Sequence, residues 1–207
     1  MIQDFYERIR MAGIIPVVRI DSVERAVPLA DALMRGGICV IEITFRTACA
    51  VEAIRCIRRE CPEMLVGAGT VLSVAQADEA MDAGAAFLVS PGLNPDVVRH
   101  SLGRGVPILP GCLTPTEIEQ AMALGIDVVK FFPVEQFGGL ATIRALAAPY
   151  AGIRFMPTGG VTSDNLGAYL AFDRVLACGG SFMICDDLDE VTRRSATAVA
   201  IVRKHRS

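Results

Sequence analysis

Of the twenty Lys and Arg residues in this 207-residue chain, only Lys130 and Lys204 are lysine, and Lys130 stands inside the apolar run VVKFFPVE (128–135). A chain so biased to arginine does not need lysine for charge alone. What lysine offers and arginine does not is a side chain that can give up its proton and attack a carbonyl carbon. A free lysine amine, with a pKa of about 10.4, is almost wholly protonated at neutral pH. Apolar neighbours such as Val129, Phe131 and Phe132 disfavour the charged form by desolvation, so an imine-forming lysine is the chemistry first expected. The plainer alternative is a lysine that snorkels out to solvent.

A second stretch, VIEITFRT (40–47), carries Glu42, Thr44 and Arg46 on one parity. In a strand these three share a face, as do Val128, Lys130 and Phe132 in the lysine's own run. A carboxylate can move the protons an imine mechanism requires, and a guanidinium can grip a substrate carboxylate with its planar fork. Taken alone, Glu42 and Arg46 read equally well as a salt bridge. Two glycine pairs, in PTGG (157–160) and CGGS (178–181), place Gly159, Gly160, Gly179, Gly180 and Ser181 where backbone amides can approach an anion closely. The TSDN that follows the first pair offers Ser163 or Asp164 as a helix cap, adding the positive end of a helix. Thr70 in GAGT can donate a hydrogen bond, and Pro91 in SPG can wall a pocket rigidly; both are also ordinary turn residues.

These residues fall at the ends of short apolar runs that alternate with longer amphipathic ones. Eight such runs are legible, at 14–20, 39–45, 65–71, 86–92, 107–112, 128–134, 154–160 and 174–181. The alternation is that of βα units and a parallel sheet. Helix-start signals follow several of the runs: Ser22, Ser73, and Thr114 with Pro115 and Glu117 as a capping box. Eight units in one stretch predict a single (β/α)8 TIM barrel with a short N-terminal helix, spanning 1–207 as one domain. A doubly wound open sheet is the competitor, but no G-x-G-x-x-G follows the first run. In a barrel the catalytic groups stand at the C-terminal ends of the strands, and phosphate commonly binds after strands 7 and 8.

Composition narrows the function class. A net charge of −3 with both signs interspersed supplies no basic stripe for nucleic acid. No run of eighteen apolar residues occurs, and the charged N-terminus lacks a signal-peptide core, so a cytoplasmic protein without membrane contact is expected. Seven cysteines, odd in number and without a C-x-x-C pair, read as reduced thiols buried in the core. Two histidines far apart in sequence argue against a metal site.

In order along the chain, IEITFRT, VGAGTV, VSPG, PGCLTPTE, VVKFFPVE, FMPTGGV and GGS resemble the motifs of the 2-keto-3-deoxy-6-phosphogluconate and 4-hydroxy-2-oxoglutarate aldolase family, over roughly residues 13 to 185. The resemblance implies a class I aldolase without metal or cofactor on a homotrimeric (β/α)8 barrel, cleaving a phosphorylated 2-keto acid to pyruvate and glyceraldehyde 3-phosphate. It implies that Lys130 forms the imine and Glu42 shuttles protons. Arg46 and Thr70 would bind the pyruvyl carboxylate, Pro91 and Phe132 shape the pocket, and Thr158 lie near the substrate. Gly159, Gly160, Gly179, Gly180 and Ser181 match the phosphate end, and Arg19 matches a position that is often basic. Cys112 and Leu113 depart from the small or hydroxyl-bearing residues expected after the fifth strand. The galactonate-derived and hydroxyglutarate substrates share the pyruvyl half, so the motifs do not separate them. A phosphosugar isomerase or decarboxylase on the same barrel is the rival enzyme, and a non-catalytic scaffold the rival outside catalysis.

Overall fold

The computed structural model describes residues 2–206. Eight parallel strands are present: β1 (Ile14–Val18), β2 (Val40–Thr44), β3 (Leu65–Gly69), β4 (Phe87–Val89), β5 (Ile108–Leu109), β6 (Val128–Phe131), β7 (Arg154–Pro157) and β8 (Cys178–Gly180). Helix α1 (Ile2–Ala12) precedes β1. The strands are then followed in turn by α2 (Ala26–Arg35), α3 (Ala50–Glu60), α4 (Val74–Asp82), α5 (Pro95–Gly103), α6 (Pro115–Ala123), α7 (Gly139–Ala147), α8 (Ser163–Leu170) and α9 (Leu188–His205). Six strands form one sheet in the order β5-β4-β3-β2-β1-β8, and β6 pairs with β7 separately. Between the two sheets lie isolated parallel bridges, Gly111 to Lys130 on one side and Phe155 to Val175 and Thr158 to Gly179 on the other. Pairing thins beside β5 because Pro107 and Pro110 bring no amide hydrogen to the ladder. There the contact is carried by the Lys130 amide donating to Pro110 O (2.8 Å) and the Cys112 amide donating to Lys130 O (2.9 Å).

Every strand is shorter than the apolar run that announces it. The runs ending VRI, ITF, SPG, FPV and TGG leave the ladder early, and the eighth is strand only over Cys178–Gly180 rather than 174–181. Apolarity marks what is buried, whereas a strand needs a partner with matching amides. The surplus residues become the loops at the C-terminal ends of the strands.

Both faces of β2, β3, β4, β5 and β6 are fully buried, as covered parallel strands should be. Helix α1 covers the opposite, N-terminal end. Its Phe5 ring lies 5.1 Å from that of Phe87, and its Tyr6 ring sits 5.1 Å from the Arg154 guanidinium, both partners being first residues of their strands. The Phe87 ring fits because Gly67 has no side chain; a Cβ there would stand 2.2 Å from it.

Two expected caps hold. Ser73 accepts from the Gln76 amide, and Thr114 and Glu117 form the reciprocal box on α6. Two do not. Ser22 makes no side-chain cap bond; its hydroxyl turns to the Glu24 carboxylate instead. Helix α8 is capped by Thr162, with Asn165 completing the box, rather than by Ser163 or Asp164, because Thr162 is the residue still in extended conformation (φ −132°). The seven cysteines are free, but only Cys61, Cys112 and Cys178 are buried; Cys39 is exposed and the others lie between. Of the four that are not buried, Cys56 is set by its angular position on α3, and Cys39, Cys49 and Cys185 lie in segments between elements, neither of which a count of apolar neighbours captures.

Candidate active site

Lys130 and Glu42 are the third residues of β6 and β2, and 88 residues separate them in sequence. The Lys130 Nζ stands 3.5 Å from Glu42 Oε1, with the residues 5 % and 0 % exposed. Two side chains this long can meet from separate strands only if nothing fills the space between. Gly69, at the end of β3, keeps it clear: a Cβ there would stand 2.0 Å from Glu42 Oε1. Taking both charges out of water costs several kcal/mol per ion, which a single 3.5 Å contact repays poorly. Glu42 Oε2 is moreover buried with no hydrogen-bond partner among the described residues. An acceptor left so costs about 1–3 kcal/mol, and it supplies a place for a proton to go.

The Phe132 ring lies beneath the amine, with Nζ 5.3 Å from its centroid. Val129 and Phe131, expected as apolar walls of the lysine, are fully buried but alternate with it along β6 and so belong to the other face of the strand. The greasy wall is therefore Phe132 alone of the three.

Next to this pair opens a cavity of about 420 Å³ at the C-terminal ends of the strands. Of the residues singled out from the sequence, Arg19, Arg46, Phe132, Thr158, Gly159, Gly160, Gly180 and Ser181 line it. Lys130, Glu42, Thr70, Pro91 and Gly179 do not. Thr70 reaches the cavity through Arg46, whose Nε donates to Thr70 Oγ1 at 3.2 Å. It does so from φ +59°, a left-handed conformation that a β-branched residue rarely adopts. Gly179 acts by absence, since a Cβ there would stand 2.4 Å from Thr158 Oγ1. Pro91 is exposed, and its carbonyl packs against Gly111 rather than facing the cavity. Arg19 is exposed and pairs with Asp21 at 2.9 Å.

Gly159 and Gly160 have φ of +92° and +90°. The amides of Gly160 and Val161 find no acceptor among the described residues, and they run directly into the N-terminus of α8. Open amides beside a helix start form a concavity suited to an anion. Thr44, Val17, Val161 and Ile184 also line the cavity without having been singled out as site residues. Thr44 carried a signal, the shared parity with Glu42 and Arg46, and Val161 follows the glycine pair directly. Nothing in the sequence marks Ile184. Cys112 and Leu113 are bound into the α6 cap instead of the cavity: Cys112 Sγ donates to Glu117 O at 3.6 Å and the Leu113 amide to Glu117 Oε2 at 2.8 Å. Burial, with the Glu117 charge adding to it, pushes the Cys112 thiol up to about 12. Among the described residues no cluster of three or more His, Cys, Asp or Glu is placed to hold a metal, and no helix is long and apolar enough to cross a membrane.

An ionisable pair sealed beneath an open, anion-receptive cavity on a parallel α/β sheet is the layout of an enzyme. The chain belongs to the KDPG and KHG aldolase family, whose model matches residues 5–199. It is 54% identical over 203 residues to the 2-dehydro-3-deoxy-phosphogluconate aldolase of Treponema pallidum, covering 95% of this chain and 97% of the relative. The 2-keto-3-deoxy-6-phosphogluconate aldolase of Zymomonas mobilis, solved with 3-phosphoglycerate, superposes with a TM-score of 0.93 at 38% identity, over 97% of each chain. The KDPG aldolase of Legionella pneumophila, captured with pyruvate as a covalent carbinolamine, superposes with a TM-score of 0.84 at 32% identity, over 96% of this chain and 97% of the other.

Proposed function

We propose that this chain is a class I aldolase that cleaves 2-keto-3-deoxy-6-phosphogluconate to pyruvate and glyceraldehyde 3-phosphate, with Lys130 as nucleophile and Glu42 as proton shuttle. The observation that carries the reading is the buried Lys130–Glu42 pair with one carboxylate oxygen left without a partner. The Lys130 amine adds to the ketone carbon, and proton transfer through Glu42 expels water to leave an iminium. Glu42 then takes the proton of the C4 hydroxyl. The C3–C4 bond breaks, its electrons passing to the iminium to form an enamine, and the aldehyde departs. Protonation of C3 followed by hydrolysis releases pyruvate and restores the lysine.

The Arg46 guanidinium, braced by Thr70, grips the pyruvyl carboxylate. The amides of Gly160 and Val161, with Gly159, Gly179, Gly180 and Ser181 around them, receive the phosphate. Phe132 and Thr158 shape the middle of the cavity, while Arg19 stands at its rim. The isolated bridges at both seams support a closed (β/α)8 barrel, and the unbroken repeat supports one domain over the chain. The family motifs support assembly as a homotrimer without a cofactor, and the lack of any long apolar run supports a place in the cytoplasm. A buried lysine beside a lone carboxylate favours an imine over the acid–base pair of a phosphosugar isomerase or decarboxylase.

Borohydride added with pyruvate tests the reading. It is expected to fix one pyruvyl adduct, found on Lys130 by peptide mass mapping. An adduct elsewhere, or none, would overturn the assignment.

A further inference from the structure

Glu135 closes the motif VVKFFPVE, yet no step of the mechanism uses it. It is exposed, five residues beyond the nucleophile, in a 3-10 turn after β6. Its carboxylate is nonetheless fully occupied on one side. Glu135 Oε1 accepts a hydrogen bond from the Tyr169 hydroxyl and another from Asn165 Nδ2 (3.2 Å), both on α8. The same Asn165 amide group donates to Gly160 O at 3.0 Å, and its oxygen accepts from the Thr162 amide at 2.8 Å. The Glu135 backbone amide donates to Gly159 O at 3.2 Å, while its side chain lies where residue 160 would carry a Cβ, 2.4 Å from Cγ. Tyr169 is buried, and burial together with Glu135 raises its phenol, so it stays a donor across neutral pH.

One side chain thus ties the strand that bears the lysine to both the glycine loop and the first turn of α8. The substrate spans the same gap, from a ketone bonded to Lys130 to a phosphate on those loop amides. We infer that Glu135 is a positioning residue: a latch, made through Asn165 and Tyr169, that sets the spacing between the imine end and the phosphate end and so the preference for a phosphorylated substrate. The inference rests on the phosphate assignment made above. The latch requires a hydrogen-bond acceptor at Oε1 and not a negative charge, which a phosphate nearby would oppose.

Glu135→Ala, Glu135→Gln and Tyr169→Phe are compared with wild type on 2-keto-3-deoxy-6-phosphogluconate, on its unphosphorylated counterpart, and in borohydride trapping with pyruvate. For Glu135→Ala, KM for the phosphorylated substrate is expected to rise about tenfold with kcat within about twofold, while trapping and the unphosphorylated substrate are unchanged. Tyr169→Phe moves the same ratio less, and Glu135→Gln, which keeps an acceptor, restores it. If wild type treats both substrates alike, the phosphate assignment itself falls. If wild type discriminates and Glu135→Ala discriminates equally, the latch alone falls. It falls too if Glu135→Gln fails as Glu135→Ala does, or if Glu135→Ala loses pyruvate trapping.

Discussion

The two ends of the cavity are made of different material. At the proposed imine end the groups are side chains, Lys130 and Glu42, borne on strands and sealed from water. At the proposed phosphate end they are backbone amides, of Gly160 and Val161, on a loop that lines the same cavity as Ser181. The first end depends on what is buried, and the low effective dielectric there makes every charge placement consequential. The second depends on conformation, on glycines held at positive φ. Damage at the first should strike chemistry, and damage at the second should strike affinity.

The sharpest way to break that contrast is at the proposed nucleophile. Lys130→Arg keeps the charge and loses the amine, so turnover is expected to drop by roughly 10³-fold or more while circular dichroism stays that of wild type. Near-normal turnover would end the imine reading. Two glycine substitutions then set the ends against each other. Gly69→Ala drives a methyl group into Glu42 Oε1, and a carboxylate displaced by about 1 Å should lower kcat about 10²-fold. Gly160→Ala meets Glu135 and a φ of +90°, a strain of about 1–3 kcal/mol, and should raise KM for the phosphorylated substrate with pyruvate trapping intact. The contrast fails if both substitutions act on the same kinetic constant. The smallest effect belongs to Thr70→Gly. Relief of the left-handed strain, about 1–2 kcal/mol, is offset by glycine's chain entropy of about 0.5–1 kcal/mol, so denaturant midpoints should barely move. Loss of the hydroxyl that braces Arg46 should still weaken pyruvate binding a few-fold, measured by trapping against pyruvate concentration.

Legibility followed the same division. Lys130 stood out because its residue type is rare in this chain and its surroundings are apolar, both local properties. The parity of Glu42, Thr44 and Arg46 was equally local, and the eight βα units followed from periodicity. Caps were legible where the box was reciprocal, as at Thr114 and Glu117, and misplaced at α8, where neighbouring Thr162, Ser163 and Asp164 all qualify and only the backbone angle decides. Strand ends were overestimated because the residues that follow a strand can be as apolar as the strand itself. Pro91 and Thr70 were noticed as turn residues, but whether either faces the cavity depends on how the loops fold over one another. Glu135 left almost no mark, since its partners Asn165 and Tyr169 lie 30 and 34 residues away.

Residue chemistry and the period-2 alternation along each strand were therefore settled by the chain itself, because both are properties of a few adjacent residues. The meeting of Lys130 with Glu42 was decided by packing. It requires strands distant in sequence to converge and Gly69 to leave room for the Glu42 carboxylate, and the distance across a core is set by the volumes of all the side chains that fill it.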